Sequence, residues 1–327
     1  PVGALMEVQV SVCIPCYNAE NYILETLQSL LNQTYKNFEI IVIDDGSEDN
    51  SIEKIESMIL KDKRIHLYKN NNNRGVAFTR NRAFELCNAE YIAYMDADDT
   101  APPNRLELQV NFLDSHLNID GVGGSYNIIN EKGEFIQKVI MTAQSPEMIK
   151  ATLLFRNCIA NGSVMLRKRV IDEEQIRYDE EKKDLEDYDF WVRFVKNHNF
   201  INLSNILQNY RVTQESLSRK CANCEGNLRD QRFDDIHRYV LKERGYLLPA
   251  KEEQVYFCAT RENGHISGLT EYFLLRRVLW RINKFTSQKY PELRKAVLFR
   301  SRELYQEQKY QMLSSYFSKL RGKNKIY

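Results

Sequence analysis

The chain has 327 residues, 43% of them hydrophobic and 28% charged, which excludes a disordered chain and is ordinary for a protein with a sizeable core. Its net charge of +1 is unevenly spread, because residues 269–327 contain fourteen Lys and Arg against four Asp and Glu. No stretch approaches the roughly eighteen uninterrupted apolar residues of a membrane-spanning helix, so none is predicted.

The N-terminal part of the chain alternates between β-rich apolar runs and amphipathic stretches. Strands are predicted at residues 8–15, 38–43, 65–68 and from 91 onward, with helices at 22–32, 51–60 and 76–88 between them. This order is typical of an open α/β sheet, in which ligands bind beyond the carboxyl ends of the strands. Asn18, Asp45 and the acids after residue 95 all follow strands, so we expect them to share one crevice.

The sequence YIAYMDADD is a predicted buried strand that runs directly into the three carboxylates of Asp96, Asp98 and Asp99. Carboxylates so close together repel one another, and a divalent cation with oxygen ligands relieves this repulsion while also holding phosphates. The plainer alternative is an acidic turn that caps the following helix, with Pro102 and Pro103 in its first turn. The residues alone leave both interpretations open.

A phosphate-binding glycine loop is missing, since the sequence contains neither GxGxxG after the first strand nor GxxxxGK[ST] anywhere. A site for phosphates would therefore need a cation or a basic side chain such as Arg80 or Arg82. Asp45 could accept a hydrogen bond from a base, and Tyr17 could pack on a ring. However, Asp44 and Asp45 also suit a simple turn before a helix.

Carboxylates also cluster in DLEDYDFWVRF, where Glu186, Asp187 and Asp189 lie at the start of a helix with an apolar face. A helix N-terminus favours acids on electrostatic grounds, so capping is one interpretation. The other is chemical, because transfer of a group to an acceptor hydroxyl needs a general base that removes the hydroxyl proton.

The remaining segments predict further α/β structure followed by helices. We expect a helix at 105–115, a strand at 121–129, a turn at 131–134, a helix at 145–154, a strand entered from 157–166, and helices at 227–244, 251–260 and 269–320. Two CxxC pairs, Cys13/Cys16 and Cys221/Cys224, could supply zinc, but they lie far apart and one is in a strand. With no signal peptide, we interpret the seven cysteines as reduced thiols in a reducing compartment.

The stretch SVCIPCYNAENYILETLQSLLNQTYKNFEIIVIDDGSEDNS, followed by NRGVAFTRNRAFELCNAEYIAYMDADD, resembles an inverting family 2 glycosyltransferase of the GT-A fold. The resemblance covers roughly residues 8–220 and implies a Rossmann-like mixed α/β sheet flanked by helices. It divides the chain into a GT-A domain at 7–220 and a basic, helical C-terminal region at 221–327. It also implies a UDP-sugar donor and Mn²⁺ or Mg²⁺ as cofactor.

The resemblance implies roles for individual residues. Those expected at the nucleotide and diphosphate are Pro15, Tyr17, Asn18, Glu20, Asp45, Arg80, Asp96, Asp98 and Arg211. Asp98 and Asp99 would hold the metal, and Asp187 of the family's ED motif would be the general base. Those expected around the sugar and the acceptor are Asn157, Asn161, Glu186, Asp189 and Trp191. Thr213 stands where some relatives have a metal-binding histidine.

Within the family the chain is similar to bacterial lipooligosaccharide β-1,3-N-acetylglucosaminyltransferases, which implies UDP-GlcNAc and a saccharide or glycolipid acceptor. A UDP-glucose, UDP-galactose or UDP-GalNAc transferase for another glycan and a non-catalytic nucleotide-sugar-binding module remain alternatives. We expect a cytoplasmic protein, peripheral at the inner face of the membrane. The basic C-terminal helices predict either packing and dimer contacts or an anionic membrane surface, and no nucleic acid because no recognition module accompanies the charge.

Overall fold

The computed structural model describes residues 8–213, 226–261, 264–266 and 268–323. These residues form two compact units, the first from 8–146 with 159–213 and the second from 147–158 with the helices after residue 226. The predicted domain boundary at residue 220 lies outside the described residues, as do Cys221 and Cys224. The assignment of residues 7–220 and 221–327 to two domains therefore stays a prediction.

The first unit is built on one mixed sheet. Its eight described strands are β1 Val10–Cys16, β2 Phe38–Asp44, β3 Ile65–Lys69, β4 Tyr91–Tyr94, β5 Gly121–Ile129, β6 Phe135–Val139, β7 Met165–Arg167 and β8 Phe200–Arg211. The strand order is β3-β2-β1-β4-β7-β5-β6, and β8 pairs with β5. Strands β1 to β4 run parallel, whereas β7 pairs antiparallel with both β4 and β5.

Helices cover the sheet and connect its strands. They are α1 Ile23–Leu31, α2 Ser51–Ile59, α3 Val76–Leu86, α4 Arg105–Ser115, α6 Lys168–Glu174 and α7 Glu186–Asn197, while α5 Pro146–Thr152 belongs, except for Pro146, to the second unit. The amphipathic spacing read from the sequence is the cause of the packing in α1, where Ile23, Leu27 and Leu30 are fully buried. Each such side chain contributes about 1.5–3 kcal/mol by leaving water. The predicted α/β fold with a mixed sheet and flanking helices is confirmed.

Parallel pairing brings the loops that carry the predicted site to one edge of the sheet. Cys16 at the end of β1 lies opposite Asp44 at the end of β2, and Cys13 lies opposite Tyr94 at the end of β4. The loop after β2 is pressed against a neighbouring loop at Gly46, whose φ is +77°. A Cβ atom there would lie 2.9 Å from the backbone nitrogen of Asn73, so only glycine fits.

The second unit consists of α8 Gly226–Glu243, α9 Ala250–Thr260, α10 Leu269–Lys289 and α11 Arg294–Lys323, together with residues 147–158. Tyr272 of α10 stacks on Tyr305 of α11, with ring centroids 4.5 Å apart. Arg300 donates a hydrogen bond to Thr152 (2.8 Å), and Tyr256 donates to the carbonyl of Leu154. No helix within the described ranges combines the length and apolar character needed to cross a membrane.

Candidate active site

Asp45 anchors the start of α3 to the end of β2. Its buried carboxylate accepts hydrogen bonds from the side chain of Asn70 (2.6 Å) and from the backbone N–H groups of Arg74 (3.0 Å) and Gly75 (2.8 Å). Gly75 has a φ of +90°, which glycine adopts readily. The acid therefore fixes the loop that leads into α3, the helix that carries Arg80.

The predicted nucleotide residues after β1 are joined to the loop after β2. The N–H of Asn18 donates to Ser47 (2.9 Å), and the Asn18 side-chain oxygen accepts from the N–H of Glu48 (2.9 Å). Glu20 accepts a hydrogen bond from the side chain of Asn50 at 2.8 Å. Tyr17 is 47% exposed beside these contacts, so its ring is free to stack on a planar ligand. Pro15, near the end of β1, is partly buried.

Arg80 connects the two acidic motifs. One terminal nitrogen of its buried guanidinium donates to Glu186 Oε1 (2.9 Å) and the other to Asp96 Oδ1 (3.2 Å). The guanidinium also lies over the ring of Tyr178, 5.5 Å from its centroid. The structure thus brings together Asp96, which follows β4, and Glu186, which begins α7, although 90 positions separate them in the chain.

The carboxylate of Asp99 is hydrogen-bonded within the protein. Its carboxylate is fully buried and accepts hydrogen bonds from the backbone N–H of Arg211 (2.7 Å) and from the side chain of Gln208. Burial, reinforced by Asp98 and then Asp96, raises the pKa of this carboxyl group well above its ordinary value. Asp98 differs, since no side chain among the described residues donates a hydrogen bond to its partly buried carboxylate.

Arg211 holds the same loop through its side chain. Its guanidinium donates to the backbone carbonyls of Asp98 (2.7 Å), Asn130 (3.2 Å) and Glu131 (3.1 Å), and to the carboxylate of Glu25 at 2.6 Å. The side chain is 1% exposed. These contacts assign it to fixing the acidic loop, and the predicted contact with a diphosphate is not supported by this placement.

Burial and mutual repulsion perturb two further acids. The pKa of Asp98 is raised to about 6, first by burial and then by Asp96. The pKa of Asp187 is raised to about 7, first by burial and then by Glu186, while Arg80 acts in the opposite direction. Groups that are perturbed in this way and lie close together are typical of reactive sites.

The acidic groups fit a cation that is shared with a ligand. Five carboxylates, Asp96, Asp98, Asp99, Glu186 and Asp187, interact with three guanidiniums, those of Arg80, Arg105 and Arg211, and Glu25 also pairs with Arg211. If these six acids and three guanidiniums are all ionised, an excess of three negative charges remains. Within the described residues, however, no group of three or more His, Cys, Asp or Glu converges as a cage. Such a site suits Mg²⁺ or Mn²⁺ held by one or two carboxylates together with phosphate oxygens.

Glu186 and Asn161 each have a buried polar atom with no hydrogen-bond partner among the described residues. Glu186 is 7% exposed, and its Oε2 has no hydrogen-bond partner among the described residues. Asn161 accepts a hydrogen bond from the hydroxyl of Tyr178 at 3.2 Å, while its buried Nδ2 also lacks a partner within the described part of the chain. Beside it, Gly162 is closely packed, since a Cβ atom would clash with the side-chain amide of Gln208 and lie 3.1 Å from Asp96 Oδ2.

Two of the predicted sugar or acceptor residues, Trp191 and Asp189, are buried and engaged within the protein. Trp191 is fully buried between Phe190 and Phe200 (4.9 and 5.3 Å between ring centroids), so it is a core residue and cannot touch an acceptor here. Asp189 is 6% exposed and forms an ion pair with Arg193 at 2.6 Å. Asn157 belongs to the second unit, so its relation to this site stays a prediction.

Sequence reasoning missed three residues that shape the site. Gln208 of β8 contacts Asp99, Tyr178 contacts Arg80 and Asn161, and fully buried Arg105 donates to the carbonyl of Tyr94 at 2.6 Å. Burial lowers the pKa of Arg105 to about 10 even though Asp99 and Asp96 favour its charge. The only signal was the position of Arg105, directly after the acidic loop. Thr213, in the place of the family histidine, is buried.

Comparison with known proteins identifies the class to which this architecture belongs. Residues 11–175 match Glycosyl transferase family 2. An uncharacterized glycosyltransferase of Methanocaldococcus jannaschii is 33% identical over 214 residues, which cover 64% of this chain and 73% of that protein. The Escherichia coli enzyme WfgD, a UDP-Glc:α-D-GlcNAc-diphosphoundecaprenol β-1,3-glucosyltransferase, is 34% identical over 215 residues. These residues cover 64% of this chain and 79% of WfgD.

Solved structures agree on the fold. Residues 1–349 of S. aureus TarS, solved in complex with UDP, superpose on this chain with a TM-score of 0.60 at 20% identity. The match covers 95% of this chain and 91% of the TarS chain. The mannosyltransferase PcManGT from Pyrobaculum calidifontis, in complex with GDP-Man and Mn²⁺, gives a TM-score of 0.55 at 15% identity, covering 93% and 87%. The chain belongs to glycosyl transferase family 2, and it is a glycosyltransferase with the GT-A fold. The predicted family, fold and enzyme class are thereby confirmed.

Proposed function

We propose that the protein catalyses a metal-dependent, inverting transfer of a sugar from a UDP-sugar, UDP-GlcNAc being the best candidate, to a saccharide acceptor in bacterial surface glycan synthesis. The observation that carries this proposal is the pair of ion pairs made by Arg80, to Asp96 and to Glu186. It brings the acids expected to face the diphosphate next to Asp187, whose pKa of about 7 suits a general base.

The loops after β1 and β2 are suited to the nucleotide. Exposed Tyr17 offers a ring on which a base can stack, and Asp45, whose orientation is fixed by three hydrogen bonds, retains lone pairs that can accept from a base N–H. UDP is the nucleotide named for TarS and for the donor of WfgD, which supports UDP for this chain. TarS has also been solved in complex with UDP-GlcNAc.

Asp187 would remove the proton from the acceptor hydroxyl. As that oxygen forms its bond to the anomeric carbon, the bond between this carbon and the UDP oxygen breaks, and UDP departs from the opposite face. Attack from the face opposite the leaving group inverts the anomeric configuration, and no enzyme nucleophile is needed. Near neutral pH about half of the Asp187 groups are ionised and can accept the proton.

Asp98 is the residue best suited to hold the cation, because its carboxylate is not used by a side chain of the protein. Asp99 would hold it less readily, since two protein donors already occupy its carboxylate. A bound Mn²⁺ or Mg²⁺ would supply positive charge to the departing diphosphate. Asp96 and Arg80 would position the donor beside it.

The acceptor is proposed to be a lipid-linked saccharide, presented at the inner face of the cytoplasmic membrane. WfgD acts on a sugar carried by diphosphoundecaprenol, and WbnJ of E. coli, 32% identical over 214 residues, is an O-antigen biosynthesis glycosyltransferase. A lipooligosaccharide chain extended by a β-1,3-linked GlcNAc is the form that best agrees with the sequence resemblance. UDP-glucose, UDP-galactose and UDP-GalNAc are the competing donors.

A donor panel tests the proposal. UDP release is measured for UDP-GlcNAc, UDP-glucose, UDP-galactose and UDP-GalNAc, with saccharide acceptors and with Mn²⁺, Mg²⁺ or EDTA, and the product's anomeric configuration is read by NMR. We expect one preferred UDP-sugar, loss of activity in EDTA, and inversion. Binding of a UDP-sugar without turnover on any acceptor would support a non-catalytic module, and activity that resists EDTA would refute metal dependence.

A further inference from the structure

Helix α10 has an exposed face on which large apolar and basic side chains alternate. Leu269, Phe273 and Trp280 are 65, 59 and 60% exposed, and helical geometry places them within an arc of about 40°. The same geometry places exposed Arg276, Arg277 and Lys284 on the two borders of this arc. We call these six residues the basic aromatic face. It contains no acid, although Arg277 forms an ion pair with Glu252 at 3.2 Å.

Helix α11 repeats the pattern. Phe299, Tyr310 and Leu313 are 51, 79 and 40% exposed. Helical spacing places them on one side with three exposed basic residues, Lys295, Arg302 and Lys309. In the described part of α11, Glu303 lies at the border of this side and pairs with Arg300, while Glu307 lies further round the helix and pairs with Arg156. Two neighbouring helices of the unit thus each expose an apolar stripe bordered by cations.

Water is an unfavourable environment for such a face. Fully burying one Leu, Phe or Trp side chain would contribute about 1.5–3 kcal/mol, and these three lie exposed together. The opposite side of α10 is already committed to the protein core through Leu275 and Ile282, which are 0 and 1% exposed. Because only one side is apolar and free, the helix suits a position lying in an interface rather than crossing it.

Charge complementarity decides what covers the face. A second copy of the chain would place cations against cations, which is costly at close range. The anionic headgroups of a lipid bilayer match the cations, while the acyl boundary receives the aromatic rings. The ammonium of Lys284 lies 5.1 Å from the centre of the Trp280 ring, so the cation and the aromatic group would reach headgroup and acyl boundary together.

We propose that the basic aromatic face of α10, continued by the exposed stripe of α11, docks the protein on an anionic membrane surface. The inference stands on the second unit alone and does not depend on which donor or acceptor is used. It would give the enzyme access to a lipid-linked acceptor. Each cation near an anionic bilayer contributes about 1 kcal/mol, so binding should weaken steeply with salt.

Tryptophan fluorescence offers a direct test, because the chain has only two tryptophans and Trp191 is fully buried. Vesicles of phosphatidylcholine containing phosphatidylglycerol should shift the emission of Trp280 to the blue, while pure phosphatidylcholine vesicles should not. The variant Trp280→Phe should lose the shift yet still float with the anionic vesicles. A protein that neither shifts nor floats with them would overturn the proposal.

Three double variants assign the binding to the face. Phe273→Ser with Trp280→Ser should lower vesicle partitioning at least about tenfold, as should Arg276→Gln with Lys284→Gln. The matched control is Leu60→Ser with Leu247→Ser, which removes two apolar residues that are 80 and 85% exposed and lie outside the face. This control variant should float with the anionic vesicles to the same extent as the wild type. Equal losses in all three variants would refute the assignment to this face.

Two further measurements separate the competing explanations. All three double variants should bind UDP as the wild type does, which tests the fold and the first unit independently of any transfer activity. Light scattering should give the same mass for the wild type and the Phe273→Ser, Trp280→Ser variant. If the wild type is a dimer and this variant a monomer, the face is a contact between copies and the membrane proposal is wrong.

Discussion

The acids at the two sides of the site differ in how their oxygen atoms are used. On the nucleotide side, Asp45 accepts three hydrogen bonds from donors of the loop that it organises, and Glu20 accepts from Asn50. On the reaction side, Asp98 has no side-chain donor within the described residues, and Asp187 lies beside Glu186 and accepts a hydrogen bond from the backbone N–H of Tyr188 at 2.6 Å. Burial raises the pKa of Asp98 to about 6 and that of Asp187 to about 7.

The comparison separates acids that build the site from acids that are ready to react. Several fixed N–H donors, such as the three that Asp45 accepts from, stabilise a carboxylate and make it part of the scaffold. Burial and like charges instead leave a carboxylate ready to bind a cation or a proton. Asp99 combines the two, because burial, Asp98 and Asp96 raise its pKa while Gln208 and Arg211 donate to its carboxylate and make its oxygen atoms less available to a cation.

The strongest test of this distinction is Asp187→Asn. We expect kcat to fall about 10²–10⁴-fold because the amide cannot accept the acceptor's proton, with little change in the KM of the UDP-sugar. Initial rates of UDP release at saturating acceptor measure this loss. Asp189→Asn is the matched control, since that carboxylate lies in the same helix turn but pairs with Arg193. A comparable loss of kcat in both variants would contradict the assignment.

Asp187 also predicts two pH effects. Its deprotonated form is the base, so kcat should rise about tenfold per pH unit below the pKa of about 7 and level off above it.

Because the pKa of Asp187 is higher in the folded protein than in the unfolded chain, the fold favours the protonated acid, and the free energy of unfolding declines as pH rises from about 4 through 7. Asp187→Asn should therefore melt above the wild type at pH 8 but not near pH 4. A higher melting temperature at both pH values would refute the linkage.

The next largest effect is expected for Asp98→Asn. Activity with Mn²⁺ should fall about 10²–10³-fold, and calorimetric titration of Mn²⁺ in the presence of UDP should show weakened binding. Its melting temperature should not fall, because the lost carboxylate was destabilised by Asp96. Asp99→Asn should lower the melting temperature instead. The NH₂ group of the asparagine would face a hydrogen-bond donor at a position where the carboxylate oxygen now accepts. The distinction within the acidic loop is wrong if the two variants exchange these behaviours.

Arg211→Lys tests a scaffold role. A lysine cannot replace a guanidinium that donates to three carbonyls and a carboxylate, so we expect a loss of about 1–3 kcal/mol and a melting temperature lower by about 5 °C. The control is Arg169→Lys, whose side chain is 55% exposed and pairs with Asp120 at 3.0 Å. If Arg211 instead contacts the diphosphate, the KM of the UDP-sugar will rise without any change in melting temperature.

The smallest effect is expected for Tyr178→Phe. It removes the hydroxyl that donates to Asn161 but keeps the ring beneath Arg80, so activity should fall only about threefold to tenfold. Asn161→Ala should have a similar effect, and the double variant should add little because both changes break one contact. Losses that multiply in the double variant would show that the two residues act independently.

The sequence was sufficient for the alternating strands and helices up to residue 129 and for the location of the acidic loops, because apolar periodicity and strand ends are local signals, but the strand β8 was not predicted. It could not show that β8 pairs beside β5 and brings Gln208 and Arg211 to Asp99, since these contacts span about 110 residues. The sequence also did not show which side of α7 faces the solvent. Its first turns are rich in both acids and aromatics, so Trp191 looked accessible when it is core.

Residues 147–158 interrupt the first unit in sequence while packing with the C-terminal helices. Within them Ile149, Leu153 and Leu154 are at most 1% exposed, and Thr152 and Leu154 are hydrogen-bonded to side chains more than 100 residues away. A shortened protein that ended near residue 220 would lack the helices that cover this segment and would expose its apolar side chains to water. The C-terminal helices therefore cover a segment that lies in the N-terminal half of the sequence, so removing everything after residue 220, the boundary that the family resemblance implies, should destabilise that segment.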